Sequence, residues 1–106
     1  MIQLLSHSSV IDSPVYSRSF NASKTTKFSI ELIANNEISA AKSTGILEGS
    51  LNGNTWVEIV SLETSNDLDI TQTDGGVFET LYTNLRFKLV STSENTLVNV
   101  FMEYRI

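Results

Sequence analysis

The chain of 106 residues contains no cysteine, one proline and one histidine. Without cysteine, neither a disulfide framework nor a thiolate metal site is available. Small secreted domains usually rely on such staples, so the absence fits a reducing cytoplasm, or a particle assembled there and later released. No apolar run approaches the roughly 18 residues of a membrane span. The opening "MIQLLSHSSV" lacks the basic region and long apolar stretch of a signal peptide. Positive charge is also scarce: 7 Lys and Arg against 12 Asp and Glu give a formal net charge of −5. That balance offers no electrostatic basis for binding nucleic acid, whose affinity rests on neutralised phosphates, and it opposes anionic lipid. These absences lead to the expectation of a soluble protein with no nucleic-acid or membrane partner.

What the sequence has in quantity is small polar residues. Serine, threonine and asparagine make up about a third of the chain, a mix that favours strands and turns over helices. One domain is expected over 1–106, able to bury roughly 65% of its unfolded surface in a single core. Strand candidates recur about every 8–14 residues with turn chemistry between them. "FSIELIA" (28–34) is the cleanest, with Phe28, Ile30, Leu32 and Ala34 inward and Ser29 and Glu31 outward. "LRFKLVS" (85–91) sets Leu85, Phe87 and Leu89 against Arg86 and Lys88; the last run sets Val98, Val100, Met102 and Tyr104 on one face. "PVYSRSF" (14–20) alternates with Val15, Ser17 and Ser19 on one side and Tyr16, Arg18 and Phe20 on the other. "NASKTTK" reads as a loop and "NNEISAAKS" as the one place for a helical turn. "TDGG" (73–76) reads as a strong turn between a short strand at 68–71 and a strand or irregular segment at 77–82. The expected fold is all-β, a two-sheet antiparallel β-sandwich of jelly-roll or immunoglobulin-like type. Ile2, Leu4 and Leu5 are apolar but precede serine-rich sequence. Residues 1–10 are therefore expected to form either an arm pairing with another subunit or an edge strand of the sandwich itself.

"GSLNGNTW" (49–56) places Asn52-Gly53, a strong hairpin signal, just before the single tryptophan. A two-residue loop pairs Gly49 with Trp56 and lets the indole lie over the bare glycine. A three-residue loop with Gly53 as a left-handed bulge pairs Glu48 with Trp56 instead. The second register is preferred, because it gathers Leu47, Val57 and Ile59 on one apolar face. Trp56 then joins Ile46, Glu48 and Glu58 on the polar side, near the rim, where an indole either plugs the end of the sandwich or fills a pocket on a partner.

No arrangement of residues suggests catalysis. His7 stands in "SHSS" without the oriented carboxylate of a nucleophilic triad. "DLD" (67–69) with Asp74 lacks the alternating ligand spacing of a calcium loop. Paired carboxylates of the glycosidase kind are spatial and escape a sequence reading, but a chain this small has little room for a substrate cleft. "NAS" (21–23) matches a glycosylation sequon without a secretory signal, and "DGG" (74–76) lacks the helix and lysine of a phosphate loop. The expectation is a non-enzyme without cofactor or metal.

An apolar strand ending in Gly49-Ser50, then Asn52-Gly53, Trp56 and the alternating "VEIV", resembles the small β-sandwich structural proteins of tailed bacteriophages. Auxiliary capsid, head-fibre and tail-associated domains there carry a run similar to "L-x-G-S-x-D-G-x-x-W-x-x-I". The resemblance spans about residues 15–106, is specific over 47–59, and departs at Leu51, where a polar residue is more usual. It implies a non-enzymatic virion protein, most readily an auxiliary or decoration protein that binds the major capsid protein or other virion proteins, with homo-oligomers as a further option. Trp56, Leu51 and Asn54 on the rim, and Ile2, Leu4 and Leu5 at the N-terminus, are the candidate interface residues. A second family, the discoidin-like carbohydrate-binding modules, is similar in "S-x-D-G-x-x-W" followed by "R-F-K-L"; those domains are longer, and many are closed by a disulfide.

Overall fold

In the computed structural model, which describes residues 2–8, 13–22, 27–65 and 69–104, the alternating runs become antiparallel strands and no helix forms among these residues. They are β1 (Ile2–Ser8), β2 (Val15–Tyr16), β3 (Phe20–Asn21), β4 (Lys27–Asn36), β5 (Ser43–Ser50), β6 (Val57–Thr64), β7 (Thr71–Glu79), β8 (Asn84–Thr92) and β9 (Thr96–Tyr104). One sheet has the order β1-β9-β4-β7; the other has β2-β8-β5-β6, with β3 also pairing β8. The pairings β1·β9, β2/β3·β8, β4·β7 and β5·β6 are those of one antiparallel ribbon rolled up so that successive rungs fall in alternate sheets. With β2 and β3 taken as one interrupted strand, this is the jelly-roll member of the two expected topologies.

The inward faces follow the two-residue period of the sequence. Phe28, Ile30, Leu32 and Ala34 of β4 and Val98, Val100 and Met102 of β9 meet Leu47 of β5 and Leu85, Phe87 and Leu89 of β8, all buried. Burial of this kind contributes about 1.5–3 kcal/mol for each large apolar side chain, and it is what holds the two sheets together. Polar residues enclosed at the end of the sandwich are partnered: the hydroxyls of Ser43 and Thr64 lie 2.9 Å apart, and Thr64 Oγ1 donates to the Ala41 carbonyl.

Several local expectations are overturned. "TDGG" is not a turn: β7 runs through it, with Thr73, Asp74, Gly75 and Gly76 paired in unbroken register to Ile33, Leu32, Glu31 and Ile30. A Cβ at Gly75 would stand 2.4 Å from the Ile30 carbonyl oxygen, so this glycine marks a close approach of two backbones rather than a reversal. Asp74 serves the strand edges, one carboxylate oxygen accepting from the Glu63 amide of β6 and the other from Gly75. The segment 14–20 is not one strand. Ser17 Oγ accepts from the Phe87 amide, the chain breaks step between β2 and β3, and Val15 and Phe20 both pack on the core while Tyr16 faces out. In place of a helical turn after β4, the Asn36 side-chain oxygen accepts from the amides of Ile38 and Ser39 and closes a bend. Residues 2–8 form an edge strand of their own sheet, paired to β9, with a bulge at Leu4. Residues 1, 9 and 10 of the expected arm, 11–12 after it, 23–26 of the expected loop, 66–68 before β7, and 105–106 at the end of the last run lie outside the described residues.

Candidate functional site

The turn between β5 and β6 is longer than either expected hairpin. Gly49 pairs with Val57 and Glu48 with Glu58, after which a bulge brings Leu47 opposite Val60. Residues 51–56 are left as a loop. The reason lies in its side chains, which close a wider turn than a type I′ loop needs. Asn52 Oδ1 accepts from the amides of Asn54 and Thr55, both at 2.8 Å, and from the Ser50 hydroxyl. Ser50 Oγ in turn accepts from the Gly53 amide. Gly53 has φ +78°, as expected of its left-handed position. The loop is also tied to the segment before β8, where Asn84 Nδ2 donates to the Ser50 carbonyl.

Val57, which was expected in the core, is 44% exposed, while Ile59, expected there too, and Val60 pack against it. The space over Gly49 belongs to Tyr82 and Ile59, not to the indole. Trp56 lies on the polar outer side as expected, but its partner is one the sequence did not indicate. The Arg86 guanidinium sits 4.1 Å from the Trp56 ring centre and 4.3 Å from that of Tyr16, a cation between two aromatic faces. Arg86 Nε donates to Glu48 Oε1 at 2.9 Å, with both side chains mostly covered. Glu48 stands between Arg86 on β8 and Glu58 on β6. Arg86 therefore offsets the repulsion of two carboxylates placed directly opposite one another.

The six candidate interface residues fall into two groups on different sheets. Leu51, Asn54 and Trp56 share the β5–β6 loop: Leu51 is 69% exposed, Asn54 is exposed and Trp56 is half-buried. Ile2, Leu4 and Leu5 lie on β1 at the edge of the opposite sheet. Leu5 is a core residue and unavailable to a partner, because the Leu4 bulge turns it inward opposite Val100. The residues that sequence reasoning missed are Arg86, Glu48 and Tyr16. Alternation placed Arg86 on the outer face, but its neighbours come from strands remote in sequence, which no local signal announces.

Of the chemistry weighed from the sequence, His7 lies on β1, half-buried, with Nδ1 enclosed and without a hydrogen-bond partner among the described residues. Asp74 has both carboxylate oxygens engaged by backbone amides. The β5–β6 loop thus sets an exposed apolar side chain, Leu51, on a backbone closed by hydrogen bonds, beside a tryptophan held by Arg86. No protein-family model matches this chain, and a comparison with curated proteins finds no match.

Proposed function

We propose that this protein is a non-enzymatic structural component of a bacteriophage virion, an auxiliary or decoration protein that seats on the capsid shell through the β5–β6 loop. The observation that carries the reading is Leu51, 69% exposed at the end of the sandwich on a loop whose backbone is closed by its own side chains. A large apolar group carried on a backbone already closed by hydrogen bonds leaves less of the chain to be ordered on docking, so more of its burial is realised as affinity. A module that binds the assembled shell in preference to free subunits stabilises the shell by mass action. The resemblance over 47–59 and the jelly-roll topology support this reading. The topology alone does not decide it, since jelly rolls serve in both capsid and lectin domains.

Two features weigh against the carbohydrate-binding alternative. Arg86 covers one face of Trp56, and the Asn52 side-chain oxygen is engaged within its own loop. The test is co-sedimentation of the purified protein with empty capsid shells, beside a glycan-array screen. Saturable binding to shells with a silent array is the expected result. A sugar-specific array signal without shell binding would transfer the loop to the carbohydrate reading.

A further inference from the structure

The side of the sandwich where β1 meets β2 and β3 is open, and attachment through the β5–β6 loop does not use it. β1 pairs with β9 alone, so the backbone groups along its other edge have no partner among the described residues. The strand that ends the second sheet beside it is broken: the chain leaves that sheet at Arg18-Ser19, between the two-residue strands β2 and β3. A cleft of about 350 Å³ lies between these edges, lined by Ile2, Gln3 and Leu4 on one side and Arg18, Ser19 and Phe20 on the other. Ile2, Leu4 and Phe20 are half-buried and form its apolar part, with Leu4 and Phe20 resting on the core. The volume is at the low end of the roughly 300–1,000 Å³ typical of ligand sites, which suits a few side chains rather than a whole substrate.

The charge in the cleft has one sign. None of the lining residues is acidic, although the chain as a whole has a formal charge of −5. Arg18 is exposed, and its guanidinium has no ion pair, hydrogen bond or ring contact among the described residues. Arg86, by contrast, is held by Glu48 and two rings. We infer that this cleft is a second binding site, where an extended acidic segment of a protein partner adds a strand to β1. The partner's backbone pairs with the free edge of β1, and an apolar side chain enters between Leu4 and Phe20. A neighbouring aspartate or glutamate meets Arg18, whose planar fork matches a carboxylate. In its sheet β8 separates β3 from β5, so a chain seated by the β5–β6 loop keeps this edge for another partner.

The test titrates the 15N-labelled full chain with a short capped peptide that alternates valine with glutamate and, separately, with its glutamine counterpart. Saturable shifts of the Gln3, Leu4, Arg18 and Ser19 amides with the glutamate peptide, weakened by added salt and much reduced with glutamine, are expected. Hydrogen exchange along β1 should slow in the bound state, since amides left open at an edge become paired. Arg18→Gln, at an exposed and unpaired position, should weaken glutamate-peptide binding by about twofold to fivefold, the worth of a solvent-exposed ion pair, and leave the thermal midpoint unchanged. Equal response to both peptides, shifts confined to other surfaces, or unchanged exchange along β1 would overturn the inference. Because the probe is a peptide and not a shell, that failure leaves the loop's attachment to capsids untouched, and failure of shell binding leaves the cleft standing.

Discussion

Arg86 organises the outer face of its sheet, since three groups from β2, β5 and the β5–β6 loop converge on one guanidinium. Removing it strips two aromatic contacts and leaves Glu48 facing Glu58 without compensation. Arg86→Ala should therefore destabilise the fold by about 1–3 kcal/mol, more than the usual surface change. A double-mutant cycle in urea unfolding isolates the stack. Trp56→Ala should cost about 0.5–1 kcal/mol less in the Arg86→Ala background than alone; strict additivity would mean that the indole draws nothing from the cation. At this scale the sequence was legible in part. The alternation of "LRFKLVS" put Arg86 outward, and "NGNTW" put Trp56 near a rim. Their meeting depends on β6 and β8 flanking β5, and that is a property of topology.

At the scale of elements, β4, β8 and β9 were readable because their apolar period is unbroken and both flanking strands accept it. The hairpin and β7 depart from the sequence expectation for a common reason: glycine with asparagine or aspartate is ambiguous between a tight turn and other uses of the same residues. Around Asn52 the side-chain oxygen accepts three hydrogen bonds and holds open a wider loop. At 74–76 the glycines let two strands approach. The β7 account predicts a sharp contrast between neighbours. Gly75→Ala should destabilise by about 1–3 kcal/mol, since the added methyl meets an immovable backbone oxygen. Gly76→Ala, with open space around its Cβ and no positive φ, should be neutral or stabilise by up to about 1 kcal/mol through the unfolded chain. Equal thermal midpoints for the two variants would argue that β7 does not run through this segment.

For the whole molecule, the rolled ribbon makes the chain's two ends interdependent, because β1 pairs with β9 and places Leu5 in the core. The sequence left residues 1–10 open between an arm and an edge strand, since three apolar residues before a serine-rich stretch serve either purpose. Deleting residues 1–6 removes Leu5 and most of a paired strand. It should lower stability by about 2–5 kcal/mol, a large share of a typical ~5–15 kcal/mol, as measured by denaturant unfolding. A truncated chain with unchanged stability would restore the arm. The fold class was legible because composition, period and turn spacing agreed; the partner was not, because a single exposed leucine names none. The most direct measurement of the central claim, attachment through the β5–β6 loop, is quantitative co-sedimentation of Leu51→Asp with empty capsid shells, beside its thermal midpoint in solution. Loss of attachment by at least about tenfold is expected, as for truncation at an interface hot spot, with the midpoint unchanged. Attachment equal to that of the unaltered protein would contradict it.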